Sequence, residues 1–231
     1  MTERARVVNA FQAGLRCTRD ISSLCAGVPE GVGPGGKTIS RIVPILVFMA
    51  RKTRVLSIIA CGAGPAAAIG TLIKQALDRG WTVQVIATPS ALEFFDAREI
   101  EAATGSPVRS QYSKPGAPRS RIPDAIIVAP ATFNTINQWA LGIADTYALG
   151  VLAEQTGLGI PIVVLPFVSD ALAGRPQFAR SVKALRAEGV SILLGPGGVP
   201  PHPAHGEADV MEGFPWQLAL DEASVMTGFG A

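Results

Sequence analysis

IPDAIIVAPATFNTINQWALGIAD, residues 122–145, changes its hydrophobic period halfway along. Residues 125–129 are a short apolar run rich in branched side chains, with Pro123 upstream and Pro130 closing it. Such a run, without polar alternation, predicts a strand buried on both faces of a parallel sheet. After it, Ile136, Trp139, Ala140, Ile143 and Tyr147 recur at helical spacing, which predicts one helix over about 132–154. Between the two lies Pro130-Ala131-Thr132-Phe133-Asn134-Thr135, a turn of small and polar residues at the carboxyl end of the strand. In open α/β sheets that rim is where ligands bind.

The flanking sequence has the same grammar. Residues 55–60 (VLSIIA) read as a strand, 61–65 (CGAGP) as a glycine turn, and 66–79 as a helix with Ile69, Leu72, Ile73 and Leu77 inward. Gly80 stops that helix and 82–87 (TVQVIA) is the next strand. A strand, glycine turn, helix and strand in about thirty residues make a βαβ crossover. Further strands are predicted at 108–112, 160–165 and 191–194, and a further helix at 177–188. The alternation predicts an α/β fold with a doubly wound parallel sheet, Rossmann-like and flavodoxin-like, in three α/β/α layers.

With 231 residues, 48% of them apolar and only 16% charged, the chain can bury a large core and is not a disordered acidic segment. Charge is unevenly spread. Residues 1–54 carry nine Lys/Arg against three acids, +6, and the remainder eleven against fifteen, −4. This divides the chain into a basic N-terminal extension, 1–54, and a domain over 55–231. Within the extension, 1–25 has an amphipathic face (Val7, Val8, Phe11, Leu15), 27–36 reads as a glycine-rich linker, and 38–54 is apolar and then basic. A nucleic-acid or membrane contact, an oligomer-packing arm and a solvated tail compete as readings. The basic patch has no second stripe with interleaved aromatics, so no nucleic-acid partner is expected.

Cys17, Cys25 and Cys61 are odd in number and form no C-x-x-C pair, which argues against a disulfide framework or structural zinc site and points to a reducing, cytoplasmic setting. The longest apolar run, 39–50, is too short to span a bilayer and contains Arg41 and Pro44, so no membrane partner is expected.

Candidate chemistry gathers at the turns. Gly62 and Gly64 open a helix directly after a strand, where free N–H groups attract a phosphate. No acid ends the second strand, and a 2′-hydroxyl-binding acid is what a nicotinamide dinucleotide site requires. Thr88 and Ser90 stand there instead, as ligand hydroxyls or, with Glu93, as a capping box begun by Ser90. Arg119 and Arg121 are substrate-anion candidates with a solvated loop as the alternative, and Ser169 and Asp170 are substrate candidates after the fourth strand, with Asp170 also able to pair with Arg175. His202 and His205 have two-ligand spacing, but without a third ligand no metal is expected. Asp145 reads as an acceptor for backbone donors near the turn.

PATFNT followed by GIAD, the glycine turn after strand one, and Thr88, Ser90, Ala91 and Phe94 in T-x-[SA]-A-x-x-F order together resemble the FMN-dependent cysteine decarboxylases. That family includes phosphopantothenoylcysteine decarboxylase and the lantibiotic decarboxylases, and its motif reads close to PASANT. The resemblance covers most of 55–195. It implies FMN as cofactor, contacted by Gly62, Gly64, Thr88, Ser90, Ala131, Thr132, Asn134 and Thr135, and a flavoprotein domain over 55–231. It also implies a small-molecule substrate and a homo-oligomer, a trimer or multiple of trimers.

Two departures bear on activity. The family's catalytic His, about fourteen residues before the first Pro of the motif, has no counterpart in 113–119 (SKPGAPR). The P-x-M-N-x-x-M clamp reads Pro166-Phe167-Val168-Ser169-Asp170-Ala171-Leu172, without its Asn. The leading reading is therefore a flavoprotein, a lyase or oxidoreductase, acting on a small substrate by oxidation or decarboxylation, with its catalytic residues unassigned. A flavin prenyltransferase-like enzyme, or a non-catalytic flavin-binding or regulatory protein, stands as the alternative. A helix over 132–154 that is apolar nearly all round independently favours oligomerisation.

Overall fold

The computed structural model describes residues 54–112, 120–204 and 213–229. The chain divides into two units, Met1–Arg51 and Lys52–Ala231, and every described residue belongs to the second. The readings made for 1–53, and those resting on Arg119 and His205, lie outside the described residues.

Five strands, β1 (Val55–Ala60), β2 (Thr82–Ala87), β3 (Ala125–Ala131), β4 (Ile162–Pro166) and β5 (Ser191–Ile192), form one sheet in the order β2-β1-β3-β4-β5. All four pairings are parallel. The helices are α1 (Ile69–Asp78), α2 (Ala97–Thr104), α3 (Phe133–Ala140), α4 (Tyr147–Gly157), α5 (Asp170–Ala173), α6 (Pro176–Ala187) and α7 (Trp216–Thr227), with 3-10 turns at Gly64–Ala68 and Pro89–Glu93.

Alternate residues of each strand feed two separate cores. Leu56, Ile58, Ile127 and Val163 pack with Leu72 and Ile73 of α1 and with Trp216 and Leu220 of α7. Ile59, Ile126, Val128 and Val164 pack on the other side with Ile136 and Trp139 of α3, Leu152 of α4 and Phe178 and Leu185 of α6. Strands buried on both faces explain the apolar runs of β1, β3 and β4, in which the one polar residue, Ser57, accepts a bond from Gln84 Nε2 at 2.7 Å. This is the doubly wound three-layer sheet the alternation predicts. Chain order reverses between β1 and β3, so the switch point falls between the glycine turn and the PATFNT turn.

Four local expectations are corrected. The single helix over 132–154 is two. Gly142 takes φ +72, the left-handed conformation that ends a helix, and Thr146 starts α4 by accepting the Leu149 N–H through its hydroxyl. The strand at 108–112 reduces to one bridge, Arg109 to Ile86, because Pro107 just before it supplies no N–H to a ladder. Pro130 does not end β3, which runs to Ala131, where it pairs with Pro166 across an irregularity in register. Ser90 begins no capping box: it lies inside the Pro89–Glu93 turn, whose cap position is Thr88 and whose first turn receives no side-chain bond.

Candidate functional site

The carboxyl ends of β1, β2 and β3 stand side by side. Ala60 is in register with Ala87, the Thr88 N–H donates to the Ala60 carbonyl at 2.9 Å, and the Cys61 N–H donates to the Pro130 carbonyl at 3.2 Å. Three turns therefore leave the sheet at one rim. The Gly62 turn and the turn after β2 touch so closely that a Cβ on Gly62 would lie 2.8 Å from the Ser90 Cβ and 2.9 Å from its Oγ. Glycine is required here by contact, not by dihedral angle.

Thr88 is only 9% exposed, and its Oγ1 is buried with no hydrogen-bond partner. A hydroxyl withdrawn from water without compensation costs about 1–3 kcal/mol. An unpartnered buried group of this kind is rare in a folded protein, and this one stands at the switch-point rim. Ser90 is exposed beside it.

On the β3 side, Ala131 is fully buried and its carbonyl accepts the Phe167 N–H at 2.9 Å. Thr132 caps α3, its Oγ1 lying 3.3 Å from the Thr135 N–H nitrogen and 3.0 Å from the Thr135 hydroxyl. Asn134 is exposed on the first turn of α3, with no side-chain partner among the described residues. Gly62, Gly64, Thr88, Ser90, Ala131, Thr132, Asn134 and Thr135 thus all belong to three adjoining turns, although they are spread over 74 positions of sequence from 62 to 135.

Sequence reasoning passed over Cys61, which is 1% exposed beneath the PATFNT turn. Burial pushes its thiol above the ordinary value of 9.0, and hydrogen bonds with Thr135 and Thr132 offset only part of this. It is therefore a neutral thiol at physiological pH. Its place at the end of β1 was legible; its contact with Thr135 was not.

The substrate candidates fare differently. Arg121 is exposed and precedes β3, before the amino end of that strand, and its carbonyl accepts a bond from Gln84 Nε2 at 2.8 Å. It is not brought to the rim. Ser169 and Asp170 do lie past the carboxyl end of β4, but their side chains accept from the N–H groups of Leu172 and Ala171 at the start of α5. Asp170 makes no ion pair with Arg175; among the described residues the ion pairs are Lys74–Asp78 and Arg79–Asp221. Asp145, expected to accept backbone bonds near the turn, is exposed and accepts none among the described residues. His202 is buried and stacked on Phe167, with ring centroids 4.4 Å apart. No group of three or more metal-ligating side chains occurs among the described residues, and no described helix is long and apolar enough to cross a membrane.

Comparison with known proteins extends these observations. The coenzyme A biosynthesis bifunctional protein CoaBC of Mycobacterium bovis is 29% identical over 128 residues, 53% of this chain and 30% of that protein. CoaBC of Thermococcus kodakarensis is 24% identical over 128 residues, again 53% of this chain and 32% of that protein. The match thus spans about a third of the length of these relatives or less. Among solved structures, the FMN-dependent cysteine decarboxylase SpaF is similar with a TM-score of 0.53 and 25% identity, over 75% of this chain and 98% of that one. The cypemycin decarboxylase CypD has a TM-score of 0.60 at 20% identity, over 78% of this chain and 96% of its own, a likeness of fold. The model of the Flavoprotein family matches residues 48–212, which include β1 to β5 and all three rim turns. The chain belongs to the Flavoprotein family.

Proposed function

We propose that this protein binds FMN at the β1/β3 switch point and uses it to oxidise or decarboxylate a small substrate, as a lyase or oxidoreductase. The observation that carries the reading is the buried, unpartnered Thr88 hydroxyl beside the Gly62 turn. The turns of Gly62 and Gly64 would hold the phosphate through backbone N–H groups, and Thr88 and Ser90 the phosphate or ribityl hydroxyls. Ala131, Thr132, Asn134 and Thr135 would flank the ring, where small residues leave room for a flat heterocycle and the Asn134 amide can donate to or accept from its polar edge. When bound, FMN supplies reversible two-electron transfer. One phosphate-sized turn, with no acid at the end of β2, supports FMN over a dinucleotide.

A non-catalytic flavin-binding role is the second reading, favoured by the lack of the family's His in 113–119 and of the clamp Asn in 166–172. Turnover of a cysteine-ended peptide by the flavin-loaded protein would decide for the enzyme.

The purified protein should be yellow, with the two long-wavelength bands of oxidised flavin, and should release FMN, not FAD, on denaturation. A colourless protein that takes up no added FMN overturns the reading. Asn134→Asp should lose FMN while the fold survives, because it replaces the amide donor with a charge facing an electron-rich ring.

Assembly as a trimer or a multiple of trimers belongs to the same reading. With the long helix broken, the support shifts to the segment between α3 and α4, where Leu141 and Ile143 are 60% and 41% exposed. Apolar side chains left open next to the PATFNT helix suit burial by a second copy. Light scattering that finds a 24.0 kDa monomer with flavin still bound would remove this part alone.

A further inference from the structure

We infer that His202 is a proton-accepting side chain of this same site; the inference rests on the flavin reading above. The chain has two His residues, and His202 is the one among the described residues. Its backbone is held as an added ladder position beyond the carboxyl end of β4. The His202 N–H donates to the Val168 carbonyl at 3.1 Å, its carbonyl accepts from the Asp170 N–H at 2.8 Å, and it bridges to Ser169. Phe167, on which the imidazole stacks, donates its own N–H to the carbonyl of Ala131, the first residue beyond Pro130 in the PATFNT turn. The ring is thereby fixed at the rim over β4, next to the strand that carries that turn.

The ring's chemistry follows from its one hydrogen bond. Nδ1 lies 3.0 Å from the Pro203 carbonyl, and a carbonyl only accepts, so Nδ1 carries the hydrogen. In the neutral imidazole the lone pair is then on Nε2. His202 is 5% exposed, and Nε2 has no hydrogen-bond partner among the described residues. Nε2 is not one of the side-chain atoms fully withdrawn from water, so it stays reachable from outside the packed ring. Here the orientation is set on one side and the acceptor left open on the other, which is how a general base is held.

Of the other described rim groups, Cys61 is held neutral by burial, and Asp170 is exposed with Oδ1 turned back to the Ala171 N–H of its own helix. The ligand class is a small substrate with a hydroxyl or thiol proton lost during the flavin chemistry. In the step, the O–H or S–H bond breaks, its electron pair stays on the oxygen or sulfur, and the proton forms the Nε2–H bond of an imidazolium still donating through Nδ1 to Pro203.

Diethyl pyrocarbonate, which acylates unprotonated imidazole, tests this on the full chain, with the modified residue identified by peptide mass spectrometry. Saturating FMN should slow modification of His202 at least about fivefold, as expected when a bound ligand occupies the space before a reactive group. An equal rate with and without bound FMN overturns the inference while leaving the flavin reading intact, and so does a ring that reacts in neither state. Failure to bind any FMN removes the flavin reading, and the inference falls with it. His202→Gln should fold, stay yellow and bind FMN within about twofold of wild type, since the proposed role is toward the substrate and a twofold change is a small fraction of a binding free energy. Loss of both flavin and fold in His202→Gln and equally in His202→Phe, which keeps the ring stack, would make the residue structural.

Discussion

The two ends of the sheet are built by the same strands and treat their polar groups differently. At the amino end the Val55 N–H donates to the Asp124 carboxylate at 2.9 Å, and the Asp124 N–H returns a bond to the Val55 carbonyl at 2.8 Å. The Arg54 guanidinium donates to the Thr227 carbonyl and lies over the Phe229 ring, and Ser191 donates to Glu222 at 2.8 Å. At the carboxyl end Thr88 Oγ1, the Asn134 amide and His202 Nε2 have no partner among the described residues. Unbonded buried atoms also occur away from that rim, at Gln75 Oε1 in α1, at Gln155 Oε1 in α4 and at the Trp81 indole N–H before β2, whose ring packs edge-on against Phe229 at 4.6 Å. On the proposed reading, the groups left unbonded beside the glycine turns and helix starts serve binding, and the bonded end serves the stability of the sheet.

If that division is right, substitutions at the two ends should separate binding from stability. The largest effect is expected at Gly62. A side chain there meets Ser90 Cβ at 2.8 Å and the Ser90 carbonyl carbon at 3.0 Å, so Gly62→Val must push the first two rim turns apart. FMN affinity should fall at least about a hundredfold, roughly 2.7 kcal/mol, read by flavin titration. Wild-type affinity would show that the turns do not form one cradle.

The opposite end supplies the second test. Asp124→Ala leaves the Val55 N–H without its acceptor and should cost about 1–3 kcal/mol in denaturant unfolding, with FMN affinity unchanged. A matching loss of flavin would mean that the two ends are coupled.

Thr88→Val is smaller and changes sign between the two measurements. Removing a buried hydroxyl that bonds to nothing should leave the flavin-free protein as stable as wild type or stabilise it by up to about 1 kcal/mol. The same change should weaken FMN about tenfold, since the hydroxyl that completes the ligand's bonding is gone. Destabilisation of the flavin-free protein would show that Thr88 has a structural partner.

The fold was legible because β1, β3 and β4 are buried on both faces and each crossover helix is followed by a glycine, two signals that survive without tertiary context. The ends of β1 and β2, Val55–Ala60 and Thr82–Ala87, coincide with the apolar runs. What failed depended on single residues in context. Gly142 looked like one small residue in a helical pattern, yet its positive φ splits α3 from α4. Arg121 and Thr132 are eleven positions apart in sequence, but β3 lies between them and carries one away from the rim that holds the other. Pairing of His202 with Ser169 joins segments 33 positions apart through backbone bonds, for which the side chains give no signal. Thr88 could be singled out from its position, but that its hydroxyl is unbonded is a fact of packing.

The smallest effect sharpens the contrast from beneath the site. Cys61 is buried at the rim, and its thiol titrates above the ordinary 9.0 because burial disfavours the thiolate more than the contacts with Thr135 and Thr132 favour it. In the unfolded chain it ionises near that ordinary value. The neutral thiol is therefore the form the fold favours, and its contribution is complete below the unfolded pKa. As pH rises past about 9 the unfolded state gains from ionising first, and stability falls by at most about 1.4 kcal/mol per pH unit until the folded pKa is passed. Cys61→Ala removes this titration along with the thiol's packing. The variant should be the less stable protein at neutral pH, and the gap to wild type should narrow at alkaline pH, as read by urea unfolding at a series of pH values. Other groups titrate in the same range, but they are common to both proteins and cancel in the difference. A constant gap from pH about 7 to about 10.5 would place the thiol in an environment open to water, and the floor of the site would then be wet where the packing of Cys61 makes it dry.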